Sequence, residues 1–297
     1  MKKVLFPCTV LYMNKEAEKQ TVAFQGSPGA YSDLASQTVF PHHERLPCPS
    51  FEETFEAVTS AAADVALIPI ENSIAGRVAD IHRLLPSSNV SVIGEHFQPI
   101  HHCLLAHPTA SFSDITTVHS HAQALGQCRS FIRENNLEPV VHTDTAGAAA
   151  DISKDTDLSA AAIASSLAAE TYGLSILAEN IADTDTNITR FLVISNEHDD
   201  APVESGPVIT SIIFTMRSVP AALYKALGGF ATNGINITKL ESYITDESFS
   251  VAQFYADLEG HPKEDSMRLA LEELSFFSTE VTILGTYPAH SFRYRNT

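Results

Sequence analysis

Residues 90–107 read VSVIGEHFQPIHHCLLAH. The stretch reads as extended structure, long enough to cross between two lobes. The chain before it supports that reading. TVAFQG (21–26) is a strand ending in glycine, and AYSDLASQTVF (30–40) is a helix. SFEETFEAVTSAAA (50–63) is a second helix, opened by Ser50 and Glu53 as a capping box. VALIPI (65–70) is continuously apolar, as in a strand buried on both faces, and VADIHRLLPS (78–87) is a helix stopped by Pro86. Beyond the crossing, ITTVHS (115–120) is a strand followed at once by a helix, HAQALGQCRSFIRENN (121–136). PVVHTD (139–144) and TAGAAADISK (145–154) repeat the step. SAAAIASSLAAETYG (159–173) reads as one Ala-rich helix with Gly173 as its C-terminal cap, and SILAENI (175–181) and RFLVIS (190–195) close the set. Strands alternating with helices imply a parallel or mixed sheet with helices on both faces.

The acidic, unpatterned NEHDDAPVESGP (196–207) reads as a linker. After it come a strand (208–216), a helix (220–234), strands over 235–245 and 248–260 joined by an Asp246-Glu247 turn, an amphipathic helix (262–278) and a last strand (280–287). The order βαββαβ is ferredoxin-like. The expected organisation is therefore an extension over 1–20, a two-lobed α/β domain over 21–196, a linker over 197–207 and a ferredoxin-like domain over 208–293.

The chain has 297 residues and 44% hydrophobic content, enough for a sizeable core. Its formal charge of −18 disfavours nucleic acid and anionic membranes as partners, and requires a local positive patch for any anionic ligand. The start MKKVLFPCTVLYM (1–13) has the outline of a signal peptide, but Pro7 interrupts the run and no cleavage site follows. The four cysteines form no C-x-x-C pair, so a reduced, cytoplasmic setting is expected.

In such sheets ligands bind where strands end and helices begin. That rule selects GSPGAYS (26–32), IENSIAG (70–76), HSHAQ (119–123) and the Thr189 end of NITRF (187–191). GSPGAYS lacks the G-K-S/T of a phosphate loop, and a tight strand–helix turn explains it as well as a ligand does. Glu71, Asn72 and Ser73 offer donors and acceptors to a substrate, or cap the next helix. Ser120 is a natural N-cap, and Gln127 lies on the helix that follows. The histidines lack metal-ligand spacing, and neither G-x-S-x-G nor G-x-G-x-x-G is present, so no metal or nicotinamide cofactor is expected. Asn187-Ile-Thr189 fits the glycosylation sequon, idle in a cytoplasmic protein.

Taken in order, FQGSPGAYS, ALIPIENSIAGRV, SHAQALGQC, DTAGAAA, YGLSILAENIADTDTNITRF, GINITKLES and FYADLEGH closely resemble monofunctional prephenate dehydratases, over about Thr21 to Arg293. The resemblance implies a periplasmic-binding-protein-like catalytic domain, an ACT regulatory domain that binds L-phenylalanine, and conversion of prephenate to phenylpyruvate, water and carbon dioxide without a cofactor. It makes Thr189 the catalytic residue. The expected substrate-binding set is Ser32, Glu71, Asn72, Ser73, Ser120, Gln127, Arg190 and Phe191. The expected effector set is Ala222, Leu223, Asn233, Gly234, Ile235, Asn236, Glu241 and Ser242, in a homodimer or homotetramer. Two regulatory motifs depart from the family: G-A-L reads Ala221-Ala222-Leu223, and E-S-R-P reads Glu241-Ser242-Tyr243-Ile244. Arogenate dehydratase is the alternative of identical chemistry, and a non-catalytic amino-acid sensor the alternative of another class. The Thr189 reading requires its hydroxyl to share a cleft with Asn72, Ser120 and Gln127.

Overall fold

A computed structural model describes residues 20–244 and 252–294. The expected N-terminal extension, but for Gln20, and the expected Asp246-Glu247 turn lie outside the described residues.

The first lobe comprises β1 (Thr21–Gln25), α1 (Tyr31–Val39), β2 (Glu44–Cys48), α2 (Phe51–Thr59), β3 (Val65–Asn72), the two-residue β4 (Gly76–Arg77), α3 (Ala79–Leu84) and β5 (Ser91–Pro99). The second comprises β6 (Cys103–Ala106), β7 (Thr117–His121), α4 (Ala122–Gln127), α5 (Arg129–Glu134), β8 (Glu138–His142), α6 (Thr145–Ile152), β9 (Ala160–Ala164), α7 (Ser166–Tyr172) and β10 (Ser175–Ala178). The chain then returns to the first sheet as β11 (Ile188–Ser195). The first sheet runs β2-β1-β3-β11-β5 with β4 on β3, and the second β10-β6-β9-β7-β8. The crossing segment thus places β5 in one sheet and β6 in the other. The fold is mixed α/β, two-lobed and periplasmic-binding-protein-like.

The direction of β11 is set by pairing. It is antiparallel to both β3 and β5, with Thr189 opposite Asn72 and Arg190 opposite Glu71. Its N-terminal end therefore meets the C-terminal end of β3, where ligands sit in open α/β sheets.

Residues 160–164 correct the single Ala-rich helix expected over 159–173. They form β9, fully buried, and only 166–172 are helical. Alanine favours helix by only a few tenths of a kcal/mol per residue, and packing overrides that. Ala160, Ala162 and Ala164 pack with α6, while Ala161 and Ile163 pack with α4, so small side chains let helices seat on both faces. The helix expected over 121–136 also breaks at Cys128. β2, a polar edge strand containing Pro47, carried no strand signal in the sequence.

The third sheet contains β12 (Val208–Met216), β13 (Ile237–Ile244), β14 (Ala252–Glu259) and β15 (Ser278–Pro288), in the order β13-β14-β12-β15. With α8 (Ala222–Thr232) and α9 (Asp265–Phe277) on one face, it is ferredoxin-like. Its other face continues the first lobe's core: Ile209, Ile213, Tyr255 and Tyr287 pack with Ile68, Ile70, Val92, Leu192 and Ile194. At the closest approach a Cβ on Gly285 would overlap the Val92 carbonyl oxygen.

His82 of α3 is wedged into this interface, 3% exposed, against Tyr243 and Tyr255. Neither ring nitrogen has a hydrogen-bond partner among the described residues. Burial, with help from Lys239, lowers its pKa from 6.5 to about 4. The unfolded chain then binds a proton below pH 6.5 that the folded chain refuses until pH 4. Stability is complete above the upper value and declines as pH falls towards the lower one. From pH 7 to pH 4.5 the free energy of unfolding should drop by about 2–3 kcal/mol through this group. Denaturant titrations of His82→Leu should lack that part of the decline; an unchanged pH dependence would refute the assignment.

Candidate active site

Between the lobes lies a cleft of about 360 Å³, whose lining includes Thr189, Asn72, Gln127, Asn187, His102 and Arg77. The glycine-rich turn that precedes α1 serves the fold. Gly29 has φ +84° and lies so close to α7 that a Cβ would sit 2.8 Å from the Ala168 Cα. Ser165 donates to the Gly29 carbonyl at 2.6 Å, and Tyr172 to that of Pro28 at 2.7 Å. The GSPG backbone thus approaches the second lobe, and its glycine is spent on that contact.

A chain of amides links the two sides. Asn72 Nδ2 donates to Asn187 Oδ1 at 2.8 Å and to Thr189 Oγ1 at 3.0 Å, with the Ile188 carbonyl at 3.3 Å. Asn187 Nδ2 donates to Gln127 Oε1 at 2.9 Å. His102 Nε2 lies 2.7 Å from the same oxygen, and Tyr31 OH lies 2.7 Å from His102 Nδ1. Burial pushes the His102 pKa below the ordinary histidine range, against the Gln127 hydrogen bond. With Gln127 Oε1 as acceptor, Nε2 donates, so in the neutral ring Nδ1 accepts from the Tyr31 hydroxyl, whose proton is shared with the His101 carbonyl at 3.0 Å.

The direction of each bond matters. Asn72 is fully committed: its amide hydrogens are shared among three acceptors, and Oδ1 accepts the Ile74 and Ala75 amides at 3.0 and 2.8 Å. It lines the cleft and positions Thr189, with no polar valence left for a ligand. Because Thr189 Oγ1 is an acceptor in that bond, its own proton is left to donate into the cleft. Gln127 Oε1 takes two donors, which leaves its –NH2 as the group to offer.

Thr189, Asn72, Gln127, Ser32 and Phe191 share the cleft. The other expected residues do not, and the required meeting of Thr189 with Ser120 is not met. Ser120 is buried and donates to the Ile163 carbonyl at 2.6 Å; the cap of α4 is His121, whose Nδ1 accepts from the Gln123 amide. Ser73 donates to the Thr186 carbonyl at 2.7 Å. Glu71 accepts from Lys239 at 2.6 Å and from Arg190 at 3.4 Å. Arg190 is the largest correction. Strand alternation turns it away from Thr189 into the interface with the third sheet, where it is 3% exposed. There it donates to Glu95 at 2.8 Å, to Tyr287 at 3.2 Å and to Asp257.

Sequence reading missed Asn187, His102, Tyr31 and Arg77. Asn187 was set aside with its sequon, and His102 with the histidines that lack metal-ligand spacing. Arg77 stood inside IENSIAGRV, and the pairing of β4 with β3 brings that turn to the cleft, with Gly76 opposite Asn72 and Arg77 opposite Glu71. Among the described residues no group of acidic, histidine or cysteine side chains is arranged to hold a metal.

In the third sheet's domain, Ala222 and Leu223 line a separate 310 Å³ pocket with Met216 and Phe254. Asn233–Asn236 lie at the opposite end of α8, with Asn233 bonded to Gly229 and Asn236 to Glu259. Glu241 and Ser242 face Arg77 of the first lobe. The expected effector residues therefore do not converge within one chain.

The sequence profile of the family described as prephenate dehydratase matches residues 22–199. A bifunctional N-acyl-homoserine lactone acylase/prephenate dehydratase of Komagataeibacter europaeus is 46% identical over 93% of this chain and 98% of its own. The arogenate dehydratase/prephenate dehydratase 1 of Arabidopsis thaliana is 38% identical over 91% of this chain and 72% of its own. The crystal structure of a prephenate dehydratase from Arthrobacter aurescens in complex with L-Phe superposes with TM-score 0.83 at 31% identity, over 91% of this chain and 90% of that one. With a family match over most of the chain and a two-lobed cleft whose threonine is held by the Asn72 amide, this chain belongs to the prephenate dehydratase family.

Proposed function

We propose that the cleft converts prephenate to phenylpyruvate, with Thr189 as hydrogen-bond donor to the departing hydroxyl. The observation that carries this reading is the Asn72–Thr189 bond: Thr189 faces an amide donor and no base, so it is set to donate. In prephenate, breaking the ring-to-carboxylate bond releases carbon dioxide and supplies the electron pair that expels hydroxide from the opposite ring carbon. Aromatisation drives the step. What is required is a fixed pose and a donor whose bond strengthens as charge grows on the leaving oxygen. Gln127, fixed by His102 and Asn187, offers a second oriented donor. A threonine paired with an amide is poorly set for attack on an acyl group, which favours lyase over acylase chemistry in this cleft.

Purified protein should generate the ultraviolet absorbance of phenylpyruvate from prephenate. No turnover of prephenate or arogenate would refute the reading. Competition between the two substrates tests preference, with arogenate, named in the plant relatives, as the alternative.

L-phenylalanine is proposed as effector, bound between the ferredoxin-like domains of two copies. The L-Phe complex of the Arthrobacter aurescens relative supports this, and the dispersal of the expected residues within one chain is what a site shared between copies requires. Calorimetric titration should register heat at micromolar to millimolar phenylalanine; a null titration removes the proposal.

A further inference from the structure

The amide chain in the cleft can be oriented in one way only, and the main chain imposes it. Backbone N–H groups donate and never accept. The Ile74 and Ala75 amides, at 3.0 and 2.8 Å, therefore fix Asn72 Oδ1 as their acceptor and turn its –NH2 towards Asn187 and Thr189. Asn187 Oδ1 must then face Asn72, and its –NH2 must face Gln127. Turning the Gln127 amide over would set two –NH2 groups against each other at 2.9 Å, so Oε1 stays towards Asn187. The same oxygen lies 2.7 Å from His102 Nε2, so the ring carries a proton there. At the far end the Tyr31 hydroxyl lies 2.7 Å from Nδ1 and 3.0 Å from the His101 carbonyl. His102 stands between β5 and β6, 2% exposed, and Asn187 is as deeply buried. Among the described residues Gln127 Nε2 meets no acceptor, yet it is not sealed from solvent, so it opens onto the cleft that its residue lines.

We propose that His102 is a positioning residue for the reaction: the proton on its Nε2 holds Gln127 so that the amide presents its –NH2 to an acceptor oxygen, carboxylate or carbonyl, of the substrate. The assignment rests on the dehydratase reading above. Asn187 alone would hold the Gln127 oxygen by one bond and leave the amide free to swing about it. The second donor comes from a different direction and from a ring that is itself seated, edge-on to Tyr31 with centroids 5.5 Å apart. Two donors on one oxygen fix both the sense and the plane of the amide, and a buried network is rigid only while each member is satisfied. His102 touches no reacting atom in this scheme and acts through Gln127. Burial keeps the ring neutral, which leaves one proton to place, and Gln127 decides where.

The test has two parts, both on the full chain. Long-range proton–nitrogen NMR of histidine-labelled protein at slightly alkaline pH, with His102 assigned by the signals lost in His102→Gln, should show a neutral ring protonated at Nε2. A ring protonated at Nδ1 overturns the proposal. Steady-state kinetics with prephenate give the second part. His102→Leu should lower kcat/KM roughly 10–100-fold, the cost of letting one donor drift from its aim. His102→Gln carries one donor and one acceptor at its end, as the neutral ring does, and should stay within about fivefold of wild type. In a Gln127→Met background, which keeps the length and lacks the amide, adding His102→Leu should cost less than about twofold, because the two residues act as one unit. Near wild-type kcat/KM in His102→Leu, equal losses in His102→Leu and His102→Gln, or the full His102→Leu loss in the Gln127→Met background would each overturn the positioning role. If His102→Leu fails to fold, the tautomer and the rate of His102→Gln decide the matter. Absence of turnover in the wild-type protein defeats the dehydratase reading itself, whereas the wrong tautomer defeats the role of His102 alone, so the two failures are distinguishable.

Discussion

Thr189→Val should lower kcat for prephenate by roughly 10²–10⁴, or about 3–5 kcal/mol of transition-state stabilisation. The substitution keeps the branched shape and removes the hydroxyl proton proposed to meet the leaving group. The fold should tolerate it. Asn72 Nδ2 loses Thr189 Oγ1 but retains Asn187 Oδ1 and the Ile188 carbonyl, so neither amide hydrogen is orphaned. A cost of about 1 kcal/mol in stability is expected. KM should change little, since the bond strengthens only as the hydroxyl departs. Thr189→Ser keeps the donor and should recover most of the rate. Near wild-type turnover in Thr189→Val would remove Thr189 from the mechanism. A comparable fall in both kcat and stability would show that the hydroxyl serves the fold instead.

Arg190→Met should destabilise the protein by about 3–5 kcal/mol, because it leaves buried carboxylates without their cation. Arg190 joins Glu95, Asp257, Glu71 and Tyr287, and lies over the ring of Phe97. Glu95 would keep Arg293, at 2.6 and 2.8 Å. Among the described residues Asp257 would keep the hydroxyls of Ser211 and Tyr255, each at 2.6 Å. Adding Asp257→Asn should therefore restore part of the loss, since the stranded charge is the cost. Thermal and denaturant unfolding measure this directly. KM of the folded Arg190→Met enzyme should stay within about twofold, because Arg190 lies outside the cleft; a tenfold rise would return it to the site.

Acid unfolding gives the same network a second readout. Burial alone would raise the Asp257 pKa, but the Arg190 charge and the hydrogen bonds from Ser211, Tyr255 and Arg190 outweigh it, and the net shift is below 3.8. A depressed carboxyl stabilises the fold fully above its unfolded value and ceases to do so as pH falls through the folded one. The Asp257 contribution should thus disappear below about pH 4, under the window in which His82 acts.

Several elements were legible because their signals are local. Half of the capping box expected at Ser50 and Glu53 forms: Ser50 Oγ accepts the Glu53 amide at 3.1 Å, while the Glu53 carboxylate meets the Ser50 hydroxyl at 3.3 Å instead of the Ser50 backbone amide. Gly173 ends α7 in the left-handed region at φ 67°. Such features depend on residues within one turn, so sequence carries them. The strand at 160–164 was illegible for the converse reason. Whether an alanine run is a helix or a buried strand depends on what packs on its two faces, and α4 and α6 lie far away in sequence.

The candidate site divides along the same line. Sequence alone determined that strands and helices alternate, that a ferredoxin-like unit follows an acidic linker, and that Thr189 and Arg190, as neighbours on one strand, face opposite ways. It did not determine which of those faces is the cleft. That was decided by the antiparallel seating of β11 between β3 and β5, and by the docking of the third sheet against the first lobe. Only then does Asn72 become the residue that aims Thr189, and Arg190 a buried tie between domains. Strand direction and domain docking are fixed by contacts between distant segments, whose free energy depends on all partners at once, and no local pattern encodes them.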